Sequence, residues 1–406
     1  MNKVELLSPA GNLEKLKIAV LYGADAVYFG GEKFSLRARA NNFSYDDIKE
    51  GVKFAHKHHA KAYVTMNILP HNNDLEGLEE YLRYLDKIKV DAIIASSMTI
   101  IDTCLKICKY TKVHVSTQAS SANSAVCNFY KALGAERVVL ARECSLKEIE
   151  KISAKSDVEL EAFIHGGMCS SYSGRCMLSN HMVNRDANRG GCAHSCRWNY
   201  DLYQNGCKVN KDSYFNIGSK DLMALKQIPK LIDAGVSSLK VEGRMKSEYY
   251  IAKIISAYRA LIDDYYKIKK EGKDESYLDY NIYLNEIQKA ENRETSIGFY
   301  NGNVTIDEQL YDRCDHPTKE FVGNVLSYNI FTHIVTIKQR NFFKIGDTIE
   351  FFGPKLKINE VVVDKIYDEK MEELDAARHP EQIIKLKVPF RVKKDDMLRL
   401  KINLEK

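Results

Sequence analysis

The chain has 406 residues, 45% of them hydrophobic, and a formal net charge of +5. That is enough apolar material for more than one domain, and no apolar run approaches the roughly 20 residues of a membrane-crossing helix. The mild basicity permits an anionic partner without requiring nucleic acid, because most of the 60 Lys and Arg are expected as solvated surface. The opening MNKVELLSPAGN lacks the apolar core of a signal peptide, so a cytoplasmic protein is expected. There, clustered cysteines more often mean metal or redox chemistry than disulfides.

In chain order, short apolar runs that end in polar or glycine residues alternate with helical periodicity. Strands are predicted at Val4–Gly11, Ala24–Gly31, Ala62–Leu69, Asp91–Ser97, Val113–Ser120, Arg137–Glu143, Val158–Gly166 and Ser237–Arg244. Between them lie helical patterns such as NLEKLKIAVLYG and DLEGLEEYLRYLDKI. Continuous apolar strands alternating with helices indicate a buried parallel sheet, and eight such units fit a closed (β/α)8 TIM-like barrel. No Gly-rich phosphate loop of the dinucleotide or mononucleotide type supports an open doubly wound sheet.

In such a barrel the C-terminal strand ends face the active site. Here they carry Ser8, Thr65, Asn67, Ser116, Gln118, Arg142, Glu143, Glu161, His165, Lys240, Glu242 and Arg244. Strand ends are also simply where polarity begins, so the set matters more than any one member. Between the seventh and eighth strands a long insertion runs from about 167 to 233 and holds four cysteines. Ser247–Gly272 reads as a long amphipathic helix, followed by a polar, Tyr-rich connector. From FVGNVLSYN onward, short strands separated by Gly, Asn, Asp and Pro predict a small all-β barrel. The expected domains are therefore 1–265, a helical connector at 266–318 and a β-domain at 319–406, with the boundary near Cys314–Lys319.

Cys169, Cys176, Cys192 and Cys196 are spaced C-x6-C-x15-C-x3-C. They read as ordinary buried thiols, as a zinc site, or as ligands of a [4Fe–4S] cluster. Zinc knuckles use close pairs, and only the last pair has that spacing; an iron–sulfur cluster accepts irregular spacing. Gly166, Gly167, Gly174, Gly190 and Gly191 would let backbone amides approach sulfur. Arg175, Arg185, Arg189 and Arg197 would offset a thiolate-bound cluster or bind an anion beside it. Cys104, Cys108, Cys127, Cys144, Cys207 and Cys314 are scattered and read as core or surface thiols.

The segment EAFIHGGMCSSYSGRCMLS (Glu161–Ser179) resembles the signature of the collagenase-like peptidase U32 family. ELLSPAGNLEKLKIAVLYGADAVYFGG, SLKVEGRMKSEYYIA and GFYNG are similar to the same family, so the resemblance spans almost the whole chain. Length and the segment NRDANRGGCAHSCRW look most like its prephenate-dependent tRNA uridine hydroxylase branch. The resemblance implies hydroxylation of the wobble uridine of tRNA to 5-hydroxyuridine, with prephenate as co-substrate. It also implies a [4Fe–4S] cluster on Cys169, Cys176, Cys192 and Cys196, and the option of a paralogous partner subunit. Strand-end position makes His165, Glu143 and Glu242 the candidates for proton transfer. Gln118, Arg175, Arg185, Lys240 and Arg244 are the candidates for substrate binding. His165 reads equally as a structural histidine between glycines. Two rival functions remain. A peptidase is suggested by the family name, but neither an H-E-x-x-H helix nor a G-x-S-x-G elbow is present. HKHHA at His56–Ala60 reads as solvated helix surface. A non-catalytic RNA-binding partner is the other.

Overall fold

A computed structural model describes residues 3–36, 42–209, 214–290, 293–305 and 321–401. The expected domain boundary at Cys314–Lys319 lies outside these residues.

Eight parallel strands form the first architecture: β1 (Glu5–Pro9), β2 (Ala26–Gly30), β3 (Lys61–Met66), β4 (Ala92–Ala95), β5 (Lys112–Val115), β6 (Arg137–Val139), β7 (Glu159–Gly166) and β8 (Ser238–Val241). Each pairs with the next, and β8 pairs with both β7 and β1, so the sheet closes into a (β/α)8 barrel. The register places Ser238 opposite both Glu5 and Glu161 at the closure. Every residue of β1, β2, β4 and β6 is buried, the charged Glu5 and Arg137 included, and β2 and β4 read as unbroken apolar runs.

Local signals set the helix starts. Ser44 begins Tyr45–Lys57, and Ser145 begins Leu146–Ser153, each with a reciprocal capping box to the acidic residue three positions on. Asn123 caps Ser124–Leu133, which ends on Gly134 in the left-handed region.

β7 runs on to Gly166, and Asp221–Met223 adds antiparallel to its last residues, with Leu222 opposite Gly166 and Met223 opposite His165. Thr295–Ser296 extends this edge. These two short strands were not foreseen. Between Gly166 and Asp221 the insertion is mostly single turns, with a short helix at Leu178–Val183 and a small hairpin pairing Tyr203–Gln204 with Cys207–Lys208.

The chain divides into two compact units: residues 1–20, 24–246 and 293–314, and residues 21–23, 247–292 and 315–406. The first unit's main run ends at Lys246 rather than near 265. The helix Glu248–Lys270 groups with the second unit because it packs on the helix Tyr280–Gln288, and its buried Lys253 pairs with Glu286, which also meets Arg399. The stretch expected as a connector is therefore partly core of that unit. The second unit's sheet is an eight-stranded antiparallel half-barrel over a core that includes Val322, Ile337, Phe343, Phe351 and Leu398. No helix among the described residues is long and apolar enough to cross a membrane.

Candidate functional site

The barrel interior holds two kinds of polar environment. Toward the strand N-termini, Arg137 Nη1 lies 2.5 Å from Glu5 Oε1 and 3.2 Å from Glu161 Oε2, and its Nη2 lies 2.8 Å from Glu159 Oε2. Tyr63 Oη and Ser238 Oγ also donate to Glu5, at 2.7 and 3.0 Å. Burial works to raise the Glu5 pKa, but the charge and hydrogen bonds of Arg137 outweigh it and hold the carboxyl at about 2. Glu161 bridges upward, accepting from Lys240 Nζ at 2.8 Å. Glu161 was expected at a strand end facing the mouth. It is instead the third residue of an eight-residue strand, committed to two buried cations.

Above this column opens a cavity of about 190 Å³. Its floor and walls come from strand C-terminal ends: Thr65, Asn67, Ser116, Gln118, Arg142, Lys240, Glu242 and Arg244, with Tyr28 and Phe163 as aromatic walls. The insertion closes over it with Cys169, Ser173, Gly174, Ala187 and Cys192. Lys240 Nζ sits 4.5 Å from the Tyr28 ring centre and 5.3 Å from that of Phe163. Burial pushes the Lys240 ammonium below its usual pKa, and Glu161 opposes that shift. Arg244 is fixed by Ser35 Oγ at 3.0 Å, Thr65 Oγ1 at 3.1 Å and Asn42 Oδ1 at 3.2 Å. Arg142 donates Nη1 to Gly167 O at 2.7 Å and stacks 3.9 Å from the Phe163 ring centre. Its Nε, and Oε1 of Gln118, are buried without a hydrogen-bond partner among the described residues. Buried polar groups are ordinarily paired, so such orphans at a cavity wall mark where a ligand's polar atoms fit. Among the described residues three cations and one carboxylate, Glu242, line the space. The arrangement suits a small anionic molecule held by charge-assisted hydrogen bonds.

The remaining candidates lie around rather than in the cavity. His165 is 1% exposed, and burial, aided by Lys246 and opposed by Glu242, lowers its pKa to about 3. It is therefore a neutral imidazole at ordinary pH. Glu143 accepts from the N–H and Oγ of Ser173 at 2.7 and 3.0 Å, holding the turn that roofs the cavity. Arg175 donates Nε to Gln118 O at 2.6 Å and Arg185 donates to Cys192 O at 3.3 Å. The insertion is latched further by Arg189 on Asp74, at 2.6 and 2.8 Å, and by Arg197 on Asp221 at 3.1 Å. Gly166 has φ +102°, and a Cβ there would lie 2.5 Å from Glu242 O, so only glycine lets the strand turn into the insertion.

Cys169, Cys176, Cys192 and Cys196 are all free thiols. Cys169 and Cys192 reach the cavity. Cys176 Sγ accepts from the N–H of Leu178 at 3.3 Å. Burial raises the Cys169 pKa, the Ser171 N–H and Arg142 lower it, and the neighbouring Cys196 and Cys176 add to the rise. Free thiols, amide donors to sulfur and nearby arginine fit the donor chemistry of a thiolate-bound cluster. Among the described residues no three His, Cys, Asp or Glu side chains converge closely enough to hold a metal ion. The chemistry fits, while the sulfurs are not drawn together.

Sequence position pointed to the polar strand ends, but not to the aromatic walls Tyr28 and Phe163 or to the roof at Ser173–Gly174. A Tyr or Phe inside an apolar run carries no mark that separates cavity wall from core.

Residues 11–309 match the model of peptidase family U32, and residues 317–399 match that of the peptidase family U32 C-terminal domain. The chain is 48% identical over 404 residues to the tRNA hydroxylation protein P1 of Bacillus subtilis, covering 98% of this chain and 94% of that one. It is 33% identical to the tRNA hydroxylation protein P of Haemophilus influenzae, covering 95% and 94%. Over 262 residues it is 38% identical to the 23S rRNA 5-hydroxycytidine C2501 synthase of Escherichia coli, covering 64% and 40%. With both of its domain models matched in order along the sequence, this chain belongs to peptidase family U32.

Proposed function

We propose that this protein is an RNA hydroxylase of the cytoplasm whose target is a tRNA uridine, converted at the wobble position to 5-hydroxyuridine. The observation that carries this reading is the 48% identity along nearly the full length of both chains to a tRNA hydroxylation protein. The cation-lined cavity at the barrel mouth supports it. A wobble base is already unpaired, so presenting it to a barrel mouth costs little unstacking energy.

Within that reading, prephenate is the co-substrate, and its two carboxylates suit Lys240 and Arg244, with Arg142 and Gln118 completing the polar wall. Glu242, the one carboxylate lining the cavity, accepts a proton. His165, buried and neutral, orients neighbours rather than exchanging protons with solvent. Cys169, Cys176, Cys192 and Cys196 would hold a [4Fe–4S] cluster, which supplies one-electron chemistry when bound. The roof formed by the insertion keeps water from the reacting base.

The test is complementation of a strain that lacks 5-hydroxyuridine in its tRNA, read by mass spectrometry of nucleosides. Wild type is expected to restore the modified base, and Glu242→Gln and Cys192→Ala are expected not to. Full restoration by Cys192→Ala would remove the cysteine quartet from the chemistry. No restoration by wild type would overturn the reading.

A further inference from the structure

In the second unit, β9 (Phe321–Asn329) and β10 (Ile334–Gln339) form a hairpin whose tip displays Phe331 at 88% exposure, with Ile330 beside it at 49%. The unit's Phe343, Phe351 and Phe352 are fully buried, and among the described residues Phe331 is the most exposed large apolar side chain, ahead of Val362 at 60% and Phe342 at 50%. The tip is built to hold its shape. Asn329 Oδ1 accepts from the N–H of Phe331 at 2.9 Å and of Thr332 at 3.1 Å, an Asx turn that fixes the loop. Behind it, Tyr328 Oη and His333 Nδ1 are 3.1 Å apart, with their rings edge to face.

A single exposed apolar residue is ordinary on a protein surface. The surroundings give this one a partner. Lys387 lies directly opposite Ile334 at the tip end of the sheet, and Val388 N donates to His333 O at 3.0 Å. Lys387 is exposed and has no acidic partner among the described residues. A rigid, projecting aromatic ring with an unneutralised cation on the neighbouring strand is a combination that binds single-stranded nucleic acid: the ring stacks on a base and the cation meets a phosphate.

We infer that the Phe331 hairpin is an RNA contact, stacking on an unpaired base while Lys387 holds the adjoining backbone. This rests on the RNA-hydroxylase reading and adds to it a binding element remote in sequence from the cysteine-rich insertion.

The test uses the full-length protein, fluorescein-labelled twelve-residue oligouridylate and bulk bacterial tRNA, with binding followed by anisotropy. Replacing Phe331 with Ala is expected to weaken oligouridylate binding by about tenfold or more, the scale of one lost base stack. Phe331→Tyr is expected to stay within about twofold of wild type, since it keeps a stacking face. Phe331→Trp adds a second tryptophan to a chain that has one, and its emission is expected to be quenched on adding oligouridylate. Lys387→Gln should reduce the slope of log affinity against log salt by about 1. Equal binding by Phe331→Ala and wild type, or Phe331→Leu matching wild type, would overturn the stacking role. So would a Phe331→Ala effect confined to self-association, read by sedimentation, which would make the tip a contact between copies. If wild type binds neither RNA, the broader RNA reading fails as well; if wild type binds and Phe331→Ala binds equally, only the hairpin inference fails.

Discussion

The two ends of the barrel interior use the same residue types to opposite ends. Near the strand N-termini, Glu5, Arg137 and Glu161 saturate one another, and every charge has a partner of opposite sign within hydrogen-bond reach. At the strand C-termini, among the described residues, Arg142 and Gln118 keep an unpartnered polar atom each, and cations outnumber carboxylates along the cavity wall. Buried charge is therefore not by itself a mark of function. Mutually paired charges mark the structural column, and the spare hydrogen-bonding capacity of Arg142 and Gln118 at the strand C-terminal cavity marks the candidate site.

The largest expected effect breaks the saturated end. Arg137→Met leaves Glu5 and Glu161 facing each other without their shared cation, and should cost about 3–5 kcal/mol in urea unfolding. A loss below about 1 kcal/mol would mean the column is not a closed unit. Next is pH. The folded-state pKa of His165 is about 3, below the ordinary 6.5, so as pH falls from 6.5 toward 3 the unfolded chain takes up a proton that the folded chain refuses. Stability should drop by a few kcal/mol across that window from this group, and His165→Asn should flatten the decline. Glu5 adds a second loss lower down. With its folded pKa held at about 2, its stabilisation is present above 4.5 and fades as pH falls toward 2.

The mouth should respond differently. Arg142→Gln should change unfolding free energy by no more than about 1 kcal/mol, because its partners there are a carbonyl and a ring face. Yet it should sharply reduce 5-hydroxyuridine in the complementation assay. A stability loss like that of Arg137→Met would erase the contrast between the two ends. The smallest effect belongs to the latch. Asp74→Asn should cost under about 1 kcal/mol, and less still in high salt, because the pair with Arg189 is partly exposed.

The eight barrel strands were legible because a closed parallel sheet is buried on both faces, which makes each strand a short, mainly apolar run between helical patterns. Gln118, Lys240, Glu242 and Arg244 were legible as the first polar residues where those runs stop, and the structure sets all four around one cavity. Glu161 was misplaced because its partner Arg137 is 24 positions away in the chain, and nothing local tells a carboxylate at the base of a strand from one at its rim. The expected boundary near 265 divided the helix Glu248–Lys270 between barrel and connector, whereas the whole helix groups with the second unit. Its buried face meets partners such as Glu286 and Arg399 that lie later in the chain, and periodicity shows only that a face is buried, not what covers it.

Leu222 sits rung to rung with Gly166, so the chain re-enters the barrel wall at the spot where it departed. To the eight-stranded scaffold the whole excursion is an overgrown hairpin loop, and lengthening or trimming such a loop changes closure entropy only slowly. The scaffold can thus accept a different cap without re-registering a single strand, which makes this junction the natural splice point for grafting one homologue's insertion onto another's barrel.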